Sequence, residues 1–80
     1  MQALPFKWTR GSRKHRIGRA HARYVVGNYE PVVIGDVYTW IGLDDRGAEL
    51  EIIAVRKPDC ILVIHVFPVA LRRRQHGSQG

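Results

Sequence analysis

Three apolar segments joined by two short turns decide the fold: "VYTWIGLDDRGAELEIIAVRKPDCILVIHVF", residues 37–67. The segments are rich in β-branched and aromatic residues, as is typical of strands. In the first turn Gly47 is suited to a positive φ, and in the second Pro58 stands where a type I turn favours proline. Turns this short join antiparallel neighbours, so the stretch predicts a meander. The three predicted strands span residues 37–43, 48–56 and 61–67.

Further strands are predicted on the N-terminal side of this meander. The segment 32–34 is apolar, and Gly35-Asp36 after it suits a two-residue type II′ hairpin turn. Residues 4–9 alternate loosely, with Phe6 and Trp8 on one face, which indicates a short opening strand at an edge. The sheet is therefore expected to hold three or four antiparallel strands.

Residues 13–26 have helical periodicity instead. Ile17, Ala20 and Tyr24 recur at spacings of three and four, with Val25 at the margin of the same face, which predicts that this face packs on the sheet. Gly18 weakens a continuous helix by about 1 kcal/mol relative to Ala, so a kink is expected there. The predicted capping residues are Ser12 at the start and Gly27 and Asn28 at the end.

The fold class predicted is α+β, with short N-terminal helices packed on a three- to four-stranded antiparallel sheet. A chain of 80 residues holds one domain, expected over residues 1–74, with a disordered tail at 75–80. Its apolar runs are shorter than the roughly 20 residues of a membrane span. A single cysteine, Cys60, excludes an internal disulfide and favours a reducing cytoplasm.

Charge is unevenly distributed along the chain. Residues 1–29 carry seven basic residues and no acidic one, and residues 30–59 carry all seven acidic residues with three basic ones. Residues 60–80 add three arginines, which brings the net charge to +6. Such segregation is typical of proteins that bind a polyanion or an acidic protein partner, although basic residues also serve solubility.

Several side chains in the predicted strands could carry chemistry, each with a structural alternative. His65 lies in the most apolar strand, where it is either a hydrogen-bonded core histidine or a proton shuttle. Glu49 and Glu51 share a strand face and suit either acid–base work or a solvated surface. Tyr38 and Trp40 also share a face, and packing in the core is favoured over a platform for stacking bases.

Basic residues on the predicted helix suit phosphate binding, or else form a solvated face. Arg16, Arg19 and Arg23 recur at helical spacing and could contact successive phosphates, with Lys14 and His15 one turn earlier. The cysteine and histidines lack the spacing of a zinc site, so no metal and no cofactor are expected.

The order of these segments resembles a known family of toxins. "FKWT" (6–9), "RKHRIGRAHARYVV" (13–26), "VYTWIGLDDRGAELEIIAV" (37–55) and "CILVIHVF" (60–67) are similar to BrnT-type toxins of bacterial toxin–antitoxin systems, in the RelE/ParE-like superfamily. The resemblance covers residues 5–73. The pattern "DDRG" with "ELE" and "VIHV" also resembles small actinobacterial toxin-like proteins.

The resemblance implies a metal-independent endoribonuclease that cuts messenger RNA, inhibits translation and is neutralised by an antitoxin, through which it could oligomerise. Those toxins commonly have an arginine near the position of Phe67, and Arg56 or Arg72 could substitute for it here. Tyr38 would stack a base or position the proton transfer. The catalytic residues expected on this basis are His65, His15, Arg56, Arg72 and Tyr38. The RNA-binding residues expected are Lys14, Arg16, Arg19, Arg23 and Arg73.

Two other functions fit the same residues. The first is a non-enzymatic basic module that binds RNA, the ribosome or DNA, which explains the charge without an active site. The second is a toxin that poisons gyrase by protein contact. Convergence of His65 with an arginine in an open groove would favour the nuclease, whereas a sealed His65 would favour the binding module.

Overall fold

The computed structural model of the chain describes residues 4–13 and 17–71. In this part of the chain a 3-10 helix, one α-helix and five strands form an α+β domain. None of its helices has the length and apolar character needed to cross a membrane. The predicted tail, residues 75–80, lies outside the described residues. The elements in chain order are β1 (Phe6–Trp8), the 3-10 helix (Gly11–Arg13), α1 (Arg19–Asn28), β2 (Val32–Ile34), β3 (Val37–Leu43), β4 (Glu49–Arg56) and β5 (Ile61–Pro68).

The five strands form one mixed sheet in the order β1-β5-β4-β3-β2. Strands β2 to β5 are antiparallel, as predicted, because short turns reverse the chain between them. The expectation of a wholly antiparallel sheet of three or four strands is wrong for β1, which pairs parallel with β5. The reason is that β1 pairs with the last strand, β5, rather than with the next strand along the chain, so no hairpin turn sets its direction.

Two glycines confirm the predicted turns. Gly35 has a φ of +59° in the two-residue turn between β2 and β3, which places Ile34 opposite Val37. Gly47 has a φ of +82° in the loop between β3 and β4. Both values lie in the left-handed region that glycine adopts without steric cost. The register of the antiparallel strands follows from these turns.

The start and end of α1 differ from the prediction. Ser12 does not cap a helix; it belongs to the 3-10 helix, and its hydroxyl donates to the carbonyl oxygen of Thr9 at 2.6 Å. Gly18 is extended, with a φ of −61° and a ψ of 143°, and precedes the helix rather than kinking it. At the other end the helix runs through Asn28, and Tyr29 caps it by donating its amide to Val25.

The face of α1 that packs on the sheet matches the prediction only at Val25. Ala22 and Val25 are buried, whereas Ala20 and Tyr24 are exposed. Ile17 packs against the core but lies before the helix begins, so it does not share the helical periodicity from which the face was predicted. The true apolar face is therefore set by the residues from Ala22 onward.

The core lies between α1 and one face of the five-stranded sheet, here called the helix face, to which β1 contributes Phe6 and Trp8. Cross-strand pairing aligns Trp40, Ile52 and Val66 in one row of this face, and all three are buried. Each buried aliphatic side chain stabilises the fold by about 1.5–3 kcal/mol. The opposite side of the sheet is called the His65 face. It carries Thr39, Ile53 and His65 in one row and Ile41, Glu51 and Phe67 in the next.

Candidate functional site

Strands β4 and β5 bring a histidine and a carboxylate together on the His65 face. Ile53 lies opposite His65 and Glu51 lies opposite Phe67, so His65 and Glu51 are diagonal neighbours. The Nε2 atom of His65 lies 3.2 Å from Oε1 of Glu51. The His65 side chain is 34% exposed and that of Glu51 is 14% exposed. His65 is thus neither sealed in the core nor fully solvated.

The contact determines which nitrogen of His65 is basic. When the Glu51 carboxylate is ionised it can only accept a hydrogen bond, so in that state Nε2 carries the proton and donates it to Glu51. In the neutral imidazole Nδ1 then keeps its lone pair and can accept a proton. The ring also stacks on Phe67, with centroids 5.6 Å apart and planes at 7°. Glu51 and Phe67 together hold the ring in one orientation.

The other predicted catalytic residues within the described part do not join His65. Tyr38 lies opposite Ala54 on the helix face, and Arg56, two residues beyond Ala54, lies on that face as well. Their expected convergence with His65 is therefore absent. The predicted catalytic residues His15 and Arg72 lie outside the described residues.

Arg56 lies in a separate shallow pocket of about 250 Å³ at the end of the sheet. Asp36, Lys57 and Pro58 line this pocket with it, and the Arg56 amide donates to the Asp36 carbonyl oxygen at 2.7 Å. The pocket combines two cationic side chains with one carboxylate, so its charges partly compensate one another.

The two aromatic residues of β3 belong mainly to the core. Trp40 is buried, and Tyr38 is half-buried against it, with ring centroids 5.8 Å apart. Phe6 packs on the other side of Trp40 at 6.1 Å. The interpretation of this pair as packing residues is confirmed for Trp40, while Tyr38 keeps part of its ring accessible.

Exposed arginines on α1 lie on the same side of the sheet as Tyr38. Arg19 and Arg23 are exposed, as predicted for a phosphate-binding face. The guanidinium carbon of Arg23 lies 5.8 Å from the centroid of the Trp8 ring, within the range of a cation–π contact. Other predicted RNA-binding residues, namely Lys14, Arg16 and Arg73, lie outside the described residues.

A second histidine–carboxylate pair ties α1 to the β3–β4 loop. Nδ1 of His21 lies 2.5 Å from Oδ1 of Asp45, and a ligand atom of Asp44 lies within 4.8 Å of both. The Asp44 carboxylate is already saturated, because it accepts the amides of Arg46 and Ala48 and two guanidinium hydrogen bonds from Arg46. This cluster therefore stabilises the loop rather than offering a vacant set of metal ligands.

The buried Asp44 remains ionised for the same reason. Burial by itself raises the pKa of a carboxyl group, but the hydrogen bonds from Arg46 and from the Ala48 amide outweigh burial. The pKa of Asp44 is consequently held below its ordinary value of 3.8.

His65 and Glu51 were both candidate residues in the sequence, but their contact was not predicted. Glu49 and Glu51 do share a face, as predicted, since they lie opposite Leu43 and Ile41. Which residue of β5 meets Glu51 depends on the β4–β5 register, which contains an irregularity next to His65. Strand alternation gives no sign of that irregularity, so the pair could not be deduced.

No family model, curated protein or solved structure matches this chain.

Proposed function

We propose that this protein is the toxin of a type II toxin–antitoxin system, a metal-independent endoribonuclease that cleaves messenger RNA in the cytoplasm and inhibits translation. The observation that supports this most directly is the His65–Glu51 pair, half-exposed on a face of the sheet. A histidine oriented by a carboxylate is a common device for moving protons in catalysis. The resemblance to BrnT-type toxins points to the same chemistry.

The proposed step is an attack by the RNA on its own backbone. Nδ1 of His65 accepts the proton of a ribose 2′-hydroxyl while Nε2 donates to Glu51. The 2′-oxygen then bonds to the adjacent phosphorus, the bond to the 5′-oxygen breaks, and that oxygen takes up a proton from water, while His65 later returns the proton it accepted to the solvent. The products are a 2′,3′-cyclic phosphate and a 5′-hydroxyl. General base catalysis of this kind contributes about 10²–10⁴-fold to a rate.

The reaction also needs cations to stabilise the charge that develops on the phosphate. Lys7 is exposed and lies opposite Leu62, which places it on the His65 face. Arg72 and Arg73 follow the end of β5 within five residues in the sequence. These residues are the candidates for holding the scissile phosphate.

A second function, that of a non-enzymatic RNA-binding module, is favoured by the position of the other cations. Arg19 and Arg23 lie on α1, on the opposite side of the sheet from His65. Arg23 beside Trp8 combines a cation with an aromatic ring, as in surfaces that bind single-stranded nucleic acid. Such a module would bind RNA through this side and leave it uncut.

Cleavage of a labelled RNA by the purified protein in excess EDTA tests the nuclease. His65→Gln is expected to lower the rate by about 10²–10⁴-fold. His21→Gln is the matched control, because it also removes a histidine paired with a carboxylate. That pair, His21 with Asp45, joins α1 to the β3–β4 loop and lies outside the proposed site. Equal loss in both variants, or no cleavage by the unsubstituted protein, would contradict the nuclease.

The same preparations test the binding module. If RNA is retained but uncut, its affinity should fall steeply with salt, since each neutralised phosphate contributes to the salt slope. Replacing Arg19 and Arg23 together by Gln should then weaken binding. It should also reduce the slope of the logarithm of the binding constant against the logarithm of the salt concentration by about 1–2. A salt slope that these substitutions leave unchanged would exclude α1 as the binding surface.

A further inference from the structure

The burial pattern of β5 changes phase within the strand. Val63 and Val66 are both buried on the helix face, although residues three apart in a regular strand point to opposite faces. The pairing explains this, because Val63 lies opposite Ala54 and His65 lies opposite the preceding residue of β4. Ile64 is therefore an extra residue, which makes this a β-bulge.

This bulge decides which face of the sheet carries His65. In a regular ladder that continued from Val63, Ile64 would lie opposite Ile53 and His65 would lie opposite Ile52. Ile52 is fully buried on the helix face, so the imidazole would point into the core and away from Glu51. The extra residue returns His65 to the face that carries Glu51.

The turn that follows β1 contacts the bulge directly. The amide and the Oγ1 hydroxyl of Thr9 both donate to the carbonyl oxygen of Val63, at 3.1 and 2.9 Å. Ser12 closes the turn by donating its amide and its hydroxyl to the Thr9 carbonyl oxygen. Gly11 lies so close to β5 that a Cβ there would stand 2.9 Å from the Ile64 carbonyl oxygen.

We propose that residues 9–12 are a positioning element for His65, which they hold on the Glu51 side of the sheet by fixing the bulge at Ile64. Thr9 anchors the residue before the bulge, and Gly11 leaves room for the carbonyl group of the bulged residue. The catalytic consequence rests on the proposed ribonuclease function. The placement of the imidazole does not, and it can be measured in a chain without activity.

The first test adds a single methyl group beside the bulge. Gly11→Ala places a Cβ against the Ile64 carbonyl oxygen, whereas Gly27→Ala is the matched control, since a Cβ at Gly27 meets nothing within 4 Å. The readout is the NMR spectrum of the His65 ring, namely the tautomer seen in its nitrogen shifts and its ring contacts with Phe67. We expect Gly11→Ala to change both and Gly27→Ala to change neither.

A deletion provides the rescue. Removing Ile64 leaves a regular ladder in which His65 still lies opposite Ile53, and it removes the carbonyl group that a Cβ at position 11 would meet. The deletion combined with Gly11→Ala should therefore recover the His65 ring signals. In an active protein Gly11→Ala should lower kcat about a hundredfold, with a smaller change in KM. Combining Gly11→Ala with the deletion of Ile64 should restore much of the lost kcat.

A milder variant keeps the proposal testable if Gly11→Ala does not fold. Thr9→Val keeps the shape of the side chain and removes only the hydroxyl bond to Val63. It should shift the His65 ring signals in the same direction by a smaller amount. Folded Gly11→Ala or Thr9→Val protein in which the tautomer and Phe67 contacts of His65 are unchanged would overturn the proposal. If the wild-type chain cuts no RNA but the ring signals of His65 shift in these variants as expected, the ribonuclease is contradicted and the positioning role of residues 9–12 stands.

Discussion

Gly42→Ala should destabilise the protein, because the position of Tyr29 leaves no room for a side chain on β3. A Cβ at Gly42 would lie within 2.6 Å of three carbons of the Tyr29 ring. These separations are far below van der Waals contact, so the ring must leave the sheet. Tyr29 caps α1 through its amide, and its displacement would therefore also disturb the end of the helix.

The expected magnitude follows from two opposing effects. Forcing a methyl group into a filled space costs about 1–3 kcal/mol. Replacing glycine by alanine within a strand contributes about 0.5–1 kcal/mol of stability, because glycine loses more conformational freedom on folding. The net result is a loss of about 1–2 kcal/mol, and each kcal/mol lowers the Tm of a domain this size by about 4–8 °C.

Thermal and denaturant unfolding of four variants tests this reasoning: Gly42→Ala, Gly27→Ala, Tyr29→Ala, and the double variant that combines Tyr29→Ala with Gly42→Ala. Gly27 lies in α1 with open space around its Cβ position, so its substitution should raise stability by about 0.4–1 kcal/mol. In the double variant the steric cost of the methyl group added at position 42 should disappear relative to Tyr29→Ala alone. Gly42→Ala with an unchanged or higher Tm would refute the assignment of the Tyr29 ring to this contact.

Three further predictions concern stability. Asp44→Asn should lower the free energy of unfolding at neutral pH by about 1–3 kcal/mol, measured by urea titration. The folded pKa of Asp44 lies below 3.8, so its stabilising contribution is present above that pH and is lost as the pH falls through the folded pKa. The free energy of unfolding of the Asn variant should therefore depend less steeply on pH in this acidic range. Ile52→Ala should cost about 2–5 kcal/mol with an unchanged m-value, since this side chain is fully buried. Gly47→Ala should cost about 1–2 kcal/mol by calorimetry, because the residue has a φ of +82°.

Elements formed by neighbouring residues were predictable from the sequence. The turns at Gly35 and Gly47 were predicted from residue type, and the structure confirms both positive φ values. The strands β3, β4 and β5 were predicted within one residue at each end. These features depend on steric preferences and on alternation over a few residues, which are present in any short window of the chain.

Features that depend on a distant partner were predicted poorly. The packed face of α1 was predicted correctly only at Val25, because Gly18 separates Ile17 from the helix and the apolar face is formed by Ala22 and Val25. The parallel placement of β1 was missed because β1 pairs with the last strand, β5, and no turn joins these two strands to specify their relative direction.

The sequence by itself determined an α+β chain with three adjacent antiparallel strands, their turns, and a basic N-terminal third. Only the tertiary structure decided that His65 meets Glu51 and that Tyr38 and Arg56 lie on the other side of the sheet. The physical reason is the bulge at Ile64, which reverses the alternation of β5 and is accommodated by a glycine more than fifty residues earlier in the chain.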